Sequence, residues 1–371
     1  MKITFPHLGN AYIIAKAIFD DLGLDYIIPP FNNKQVLELG TRLVPELACL
    51  PLKINIGNYL QAKEMGADTI LMFGGCGPCR FGYYCEMQKE ILRDIGCDME
   101  LITLEAPNGD VGELMRRINK LTNGASLLKV AVAAKRVVKM VSRIDKLERL
   151  VFAKRPREAV KGSTDLVYRN FKEKALTTIG THNMFKLINE TLRELEQVKI
   201  DYDIVPLKIG IVGEIYTNIE QYASFDIQQK LGSMGAEIDR QVTLSNWVIE
   251  HMLKKTLHLP RDLRFAKAAK PYLGAMIGGH AQETIGNTVL YAKNSYDGVI
   301  QLYPFSCMPE IVAEGILPAV ENDLDIPVLT LIIDEMTGEA GCITRLEAFI
   351  DLLEKRREAG ISDEGWMFSG Y

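Results

Sequence analysis

Residues 67–96 read ADTILMFGGCGPCRFGYYCEMQKEILRDIG. The apolar run up to Phe73 predicts a buried strand, the glycines that follow predict a loop, and the remainder predicts a helix that ends at Gly96. Short apolar strands alternating with amphipathic helices that end in glycine are typical of a parallel, doubly wound sheet. We therefore expect an α/β fold built from such units.

The same alternation occurs in two parts of the chain. Residues 1–110 predict a first Rossmann-like domain, with further strands at MKITFPHLG, DYIIPP and DMELITLEA. Residues 206–371 predict a second one, with strands at LKIGIVGEI, AEIDRQVTL, DGVIQLYPF and IPVLTLIIDE. Between them, residues 111–205 contain no convincing strand, and apolar residues at spacings of three and four from Val137 to Val151 predict a helical bridge or cap.

Composition agrees with a large soluble protein. The 371 residues are 47% hydrophobic and 25% charged, and this length exceeds what one hydrophobic core usually serves. No apolar run is long enough to span a membrane, and the first nineteen residues lack the cleavage site of a signal peptide. The sequence therefore predicts a cytoplasmic protein that does not bind membranes.

Charge is distributed unevenly along the chain. The net charge of −5 argues against a nucleic-acid partner. Residues 129–174, however, contain fourteen Lys and Arg against five Asp and Glu, a net +9 that leaves −14 for the rest. A solvated helix face is the favoured interpretation of this basic segment, and a surface for an acidic partner or ligand phosphates is the alternative.

Five of the seven cysteines are predicted to lie where strands lead into helices. Functional groups of open parallel sheets gather at the carboxyl ends of the strands. Cys76 and Cys79 follow one predicted strand, Cys307 and Cys342 follow two others, and Cys49 opens a helix beside Pro51. If the two domains face each other across a cleft, these five thiols come within reach of one another.

Three types of chemistry fit the CGPC motif at Cys76 and Cys79. Helix N-termini lower the pKa of thiols, and thiolates bind soft metals and iron–sulfur clusters. A dithiol oxidoreductase also fits strand–CGPC–helix, but it leaves Cys49, Cys307 and Cys342 without a role. Zinc would normally need a second ligand pair nearby. An iron–sulfur cluster is the favoured interpretation, with the dithiol, zinc and inert thiols as alternatives.

Other candidates carry weaker signals. Cys85 lies on the helix after CGPC and either reaches a cluster or packs in the core, whereas Cys97 is better explained as a buried thiol. Glu214 is better explained as a helix cap than as a proton relay, and His280 as a structural histidine. Arg80 and Arg345 either neutralise a bound anion or form surface ion pairs.

Several blocks of the sequence resemble a known superfamily. MKITFPHLGNAY, ELACLPLKINIGN, GGCGPCRFGYY and GEAGCITRLEAFIDLLEKR are similar to the 2-hydroxyacyl-CoA dehydratase and benzoyl-CoA reductase superfamily, in particular its activase-related branch. Double-cubane cluster proteins are a related group. The resemblance covers essentially the whole chain and implies two Rossmann-like domains with a cluster in the cleft between them.

The resemblance also implies a function. It implies an iron–sulfur protein, reduced by a separate ATP-hydrolysing iron–sulfur activator, that performs low-potential reductive chemistry on an acyl-CoA or a small molecule. The cofactor would be a [4Fe-4S] or a double-cubane [8Fe-9S] cluster. A homodimer or a sister subunit is a further implied partner. The alternatives are a non-catalytic iron–sulfur electron relay and a dithiol oxidoreductase. The implied ligands are Cys49, Cys76, Cys79, Cys307 and Cys342, with Cys85 as a sixth metal ligand.

Overall fold

Two parallel sheets form the framework of the protein. The structure is a computed structural model and describes residues 1–73, 83–104, 110–254 and 262–367. The first sheet has the order β1-β2-β3, with β1 (Ile3–Thr4), β2 (Thr69–Phe73) and β3 (Glu100–Leu104). The second has the order β5-β4-β6-β7, with β4 (Leu207–Gly213), β5 (Ala236–Arg240), β6 (Gly298–Pro304) and β7 (Val328–Ile333). All pairings are parallel, which confirms the predicted fold class.

Helices cover both faces of the first sheet. They are α1 (Ala11–Leu22), α2 (Lys34–Thr41), α3 (Leu50–Glu64) and α4 (Tyr84–Asp94). Side chains of β2 alternate between the faces: Leu71 packs with α1, whereas Ile70 and Met72 pack with α3 and α4. A strand buried on both sides reads as a continuous apolar run, and TILMF shows that pattern.

Four helices connect the two sheets. They are α5 (Val111–Leu121), α6 (Leu127–Lys154), α7 (Ser163–Thr177) and α8 (Gly180–Gln197). The predicted apolar stripe of α6 is buried at Val141, Ile144, Leu147 and Val151. Helix α6 contacts α1 beside the first sheet and β5 of the second, so it joins the two.

The second sheet is also covered on both faces. Its helices are α9 (Ile215–Ile219), α10 (Ile227–Ser233), α11 (Leu244–Trp247), α12 (Arg264–Ala269), α13 (Ala281–Lys293), α14 (Met308–Leu324) and α15 (Glu339–Met367). A 3-10 turn spans Arg155–Arg157 and a π-helix spans Val248–Lys254. Helices α6, α10 and α15 pack on one face, and α13 and α14 on the other.

One core extends through the whole fold. A single cluster of buried apolar side chains includes Ile13 of α1, Leu71 of β2, Ile144 of α6, Ile209 of β4 and Phe349 of α15. We call this cluster the shared core. It fixes the two sheets relative to each other because both contribute to it. Among the described residues, no helix has the length and apolar character needed to cross a bilayer.

The segment DYIIPP is shorter as a strand than predicted. Only Tyr26 pairs with β1, through a parallel bridge to Ile3, and Ile27 donates its N–H to the Ile3 carbonyl at 2.7 Å. Pro29 and Pro30 follow at once and have no N–H to donate, which stops the pairing. Pro6 ends β1 for the same reason.

Helices α2 and α3 touch through two glycines. A Cβ at Gly57 would lie 2.0 Å from the Val36 carbonyl oxygen, and one at Gly40 would lie 1.7 Å from that of Lys53. Any larger residue would push the helices apart. This contact holds the start of α3, where Cys49 lies.

Gly57→Ala is expected to lower the free energy of unfolding by about 1–3 kcal/mol because the added methyl overpacks this contact. Gly315→Ala is the matched control, since that glycine of α14 has open space around its Cβ position. The control should gain about 0.5–1 kcal/mol from helix propensity. Urea unfolding measures both, and a Gly57→Ala variant as stable as the parent would contradict the close contact.

Candidate functional site

The two sheets each have a crevice at their carboxyl edge. In the second sheet, β5 lies on one side of β4 and β6 lies on the other. The connections that follow β4 and β6 therefore run in opposite directions, which opens a crevice between these two strands. The first sheet repeats this arrangement, with Tyr26 on one side of β1 and β2 on the other. Ligands of open α/β sheets bind at such points. Glu214 follows β4 and Cys307 follows β6, so both lie at the crevice of the second sheet.

The edges of the two sheets meet in a cleft. The Ser306 hydroxyl donates to the Leu47 carbonyl at 2.9 Å. Lys53 of α3 forms an ion pair of 2.5 Å with Glu335, which lies in the loop after β7. The segment that leads into α3 therefore contacts the loops after β6 and β7, as the sequence predicts for facing rims.

Two cysteines lie at this cleft, one on each side. Cys49 is the N-cap of α3 and Cys307 is the N-cap of α14, and both are buried. The Cys49 thiol is hydrogen-bonded to the Tyr84 hydroxyl. Cys49 is close enough to Cys307 to contribute to the raised pKa of that thiol. The structure thus brings together two predicted ligands that are far apart in the sequence.

Burial raises the pKa of both thiols of the second sheet. Burial raises the pKa of the Cys307 thiol well above its usual range, and the carboxylates of Glu214 and Glu310 raise it further. Burial also raises the pKa of Cys342, although Arg345 and Lys230 oppose the shift. The prediction that helix N-termini lower these pKa values is wrong, because desolvation outweighs the helix dipole here.

Glu310 is a site residue that the sequence did not reveal. Its fully buried carboxylate accepts hydrogen bonds from Gln301 Nε2 and Thr284 Oγ1, both at 3.0 Å. Burial raises its pKa to about 7. Glu310 stands in the first turn of α14, and a glutamate there is so common that the pattern indicates only a helix start. Its proximity to Cys307 follows from the sequence, but its burial and its contacts with Thr284 and Gln301 depend on the tertiary fold.

The other predicted residues are distributed as follows. Cys76, Cys79 and Arg80 lie outside the described residues. Cys85 is buried at the start of α4 beside Tyr84, and burial raises its pKa. Cys97 is buried before β3, at the amino edge of the first sheet and away from the cleft. Cys342 lies in the first turn of α15, because the helix begins at Glu339, and is therefore not in the predicted loop.

The three polar candidates of the second sheet have identifiable contacts. Glu214 caps α9, as predicted, by accepting from the N–H groups of Tyr216 and Thr217 at 2.9 and 3.0 Å. Arg345 donates to the Thr330 carbonyl at 2.6 Å and forms no ion pair among the described residues. His280 precedes α13, and its ring has no hydrogen bond within the described part of the chain.

No complete metal site is formed by the described residues alone. Among them, no three His, Cys, Asp or Glu side chains are grouped closely enough to hold a metal ion. Cys49 and Cys307 have side chains of the soft sulfur type that iron–sulfur clusters and other thiophilic centres require. A ligand set at this cleft therefore needs residues beyond those two.

A second cavity lies apart from the thiols. Its volume is about 120 Å³, and it lies between Gly9, α7 and the segment before α10. Burial lowers the pKa of Lys172 and raises that of Asp226 on its walls. None of its lining residues is a cysteine, so this cavity is distinct from the thiol cleft.

One family model matches the chain. Residues 7–241 match the family described as CoA enzyme activase uncharacterised domain (DUF2229). The match covers more than half of the chain and includes β2 and β3 of the first sheet, the four connecting helices, β4 and β5. No curated protein matches the sequence. The resemblance to an activase-related group is thereby confirmed at the family level, whereas the double-cubane likeness stays a prediction.

The family description corrects the predicted function. The sequence predicted an iron–sulfur dehydratase or reductase component that a separate activator reduces. The matched family is one of activases, so this chain is an activator-type protein and that prediction is wrong. Neither alternative function, the relay subunit or the dithiol oxidoreductase, matches the family description. The prediction failed because proteins that share one fold can have different functions, and the motifs quoted above indicate the fold and not the function.

Proposed function

From the premise that this chain belongs to the CoA enzyme activase domain family, we propose that it is an activator-type component that acts on a separate CoA enzyme. A dehydratase component is the proposed partner, and acyl-CoA is then that partner's substrate. The observation that carries this proposal is the family match over residues 7–241. The two-sheet framework supplies a rigid body with one functional cleft.

We further propose that the cleft thiols bind a thiophilic metal centre. The proposed ligands are Cys49, Cys76, Cys79, Cys307 and Cys342, with Cys85 as a possible sixth. The positions of Cys49 and Cys307 on opposing rims support this choice, since a metal held there is shielded from water. An iron–sulfur cluster is the proposed cofactor, as a [4Fe-4S] or an [8Fe-9S] centre. Because burial raises the pKa of the Cys307 thiol and metals bind the thiolate, binding is expected to release a proton.

Cys307→Ser is expected to reduce the bound iron sharply after anaerobic reconstitution with ferrous iron and sulfide. The parent should bind about four irons per chain for one cubane or about eight for the double form, with absorbance at about 400 nm. Cys97→Ser is the matched control because that thiol is equally buried but lies at the amino edge of the first sheet, away from the cleft. A colourless parent, or equal iron in Cys307→Ser and the parent, would overturn the metal proposal.

A separate assay tests the activator role. Under reducing conditions with ATP, a purified dehydratase component should turn over its acyl-CoA substrate faster when the chain is added in substoichiometric amount. The chain alone should turn over none. Turnover by the chain alone, or no effect on the dehydratase, would contradict the activator role whatever the iron content.

A further inference from the structure

The outer face of α6 carries only positive charge. Its two acidic side chains point inward, where Asp145 accepts from the Ser245 N–H at 3.0 Å and Glu148 pairs with Arg240 at 2.7 Å. The cations recur every three, four or seven residues along the outer face, and we call them the basic stripe: Lys135, Lys139, Arg143, Lys146 and Arg149. Most of these side chains are exposed, and Arg143 is half-buried.

The basic stripe has no acidic partner among the described residues. Arg136, which lies beside the stripe, pairs with Asp21, whereas no stripe member forms an ion pair there. Other helices of this chain mix charges at the same spacing, as in Glu86–Lys89 of α4 and Glu113–Arg117 of α5. Like charges at i,i+4 destabilise a helix. The charges of the stripe therefore repel one another in the isolated fold, where Lys139 and Arg143 contact the Phe185 ring of α8.

Helix α15 has the opposite pattern. Its exposed acids lie four, three and four residues apart on one face, and we call them the acidic stripe: Glu347, Asp351, Glu354 and Glu358. None forms an ion pair among the described residues. The arginines of this helix are turned elsewhere, Arg356 to Asp325 and Arg357 to Asp297. Lys355 is an exposed cation beside the stripe.

The two stripes lie on the same side of the second sheet. Glu148 of α6 reaches Arg240 of β5 on the face that also holds Ile238 and the shared core. On that same face, a Cβ at Gly298 of β6 would meet Phe349 and Leu353 of α15. Because both helices cover one face, their outer surfaces point away from the sheet together.

We propose that the basic stripe and the acidic stripe form a self-complementary interface between two copies of this chain. In a two-fold dimer, the basic stripe of each copy would face the acidic stripe of the other, which gives two identical contacts. At 1.5 Å per residue, the acidic stripe spans about 16 Å and the basic stripe about 21 Å, so the acidic stripe fits within the length of the basic one. Exposed Leu128 and Val132 continue the basic face and add apolar contact area.

A second copy fits better than a long polyanion. Outside residues 129–174 the chain carries −14, which would repel nucleic acid or an anionic membrane beyond the stripe itself. The acidic stripe, in contrast, offers negative charge at the same helical spacing. This interface is independent of the proposed activator role.

Sedimentation of the purified full chain tests the interface. At about 50 mM salt we expect a species of twice the 41.6 kDa chain mass, and at about 500 mM salt a shift toward monomer because screening weakens exposed pairs. The double variant K139E/K146E should dimerise about tenfold more weakly or worse, since like charges would face each other. The control K161E/K174E changes the net charge equally, at exposed lysines outside α6, and should dimerise like the parent.

Charge reversal on both stripes gives the decisive result. D351K/E354K alone should dimerise as weakly as K139E/K146E. An equimolar mixture of K139E/K146E and D351K/E354K should form a heterodimer, and the chain carrying all four changes should regain the homodimer. A monomeric parent at low salt, or a dimer that survives K139E/K146E, would overturn the interface. Failure of the mixture to associate would overturn it as well.

Discussion

Glu335→Ala is expected to lower the free energy of unfolding by about 3 kcal/mol. The Lys53 ammonium is 2% exposed, and its only carboxylate partner among the described residues is Glu335, at 2.5 Å. Its remaining hydrogen bond is to the Glu46 carbonyl at 3.0 Å. Removing Glu335 leaves a buried charge with one neutral acceptor, so the cost is that of an uncompensated ion. Chemical unfolding of the two proteins measures the difference.

Two further variants test whether the cost comes from the uncompensated buried charge of Lys53 or from the loss of any ion pair. Glu339→Ala removes the partner of Lys230 in an exposed pair of 2.8 Å and should cost less than about 1 kcal/mol. Lys53→Met removes the buried charge and leaves Glu335 to turn toward water, so it should cost less than Glu335→Ala. Equal losses for Glu335→Ala and Glu339→Ala would contradict a buried charge at Lys53.

In the metal-free protein, Glu310 is expected to make stability fall by about 3 kcal/mol as the pH rises from about 4.5 to about 7. The folded state holds the proton up to a pKa of about 7, whereas the unfolded state loses it near the ordinary value of 4.5. Over this window the folded state binds more protons, so each increase in pH favours unfolding. Below about pH 4.5 Glu310 makes its full contribution to stability, and above about pH 7 it makes none.

Glu310→Gln should remove this pH dependence. The measurement is the slope of the free energy of unfolding against pH for the variant and the parent. A cost of the substitution that does not depend on pH leaves this slope unchanged. Glu64→Gln, at an exposed glutamate near the end of α3, serves as the control and should keep the slope of the parent. Parallel slopes for Glu310→Gln and the parent would show that the Glu310 carboxyl does not titrate in this window.

The βα alternation predicted most of the framework because it depends on local spacing. The apolar runs at TILMF and GVIQLYP became β2 and β6, and the apolar stripe of α6 is buried as expected. The placement of Cys49 and Cys307 at helix starts followed from the same logic. These are features that each segment dictates through its own residues.

Long-range contacts could not be predicted in this way. Lys53 and Glu335 are 282 residues apart, and neither stands in a recognisable motif. Glu310 resembles any first-turn glutamate. The thiol pKa values went in the opposite direction to the prediction because burial, which depends on the whole fold, exceeded the dipole effect at Cys307. The functional assignment failed for a related reason, since the motifs identify a fold that several roles share.

The shared core fixes the shape of the thiol cleft before any ligand binds. Both sheets and α6 are packed into one cluster, so the separation of the two rims is set when the chain folds. The two rims do not have to be brought together when a ligand binds. Binding therefore avoids the loss of conformational entropy that a closing movement of the two sheets would cost. The same rigidity prevents the cleft from adjusting its width to a ligand of a different size. For the metal centre proposed above, the fixed separation of the rims would therefore limit the size of what can bind.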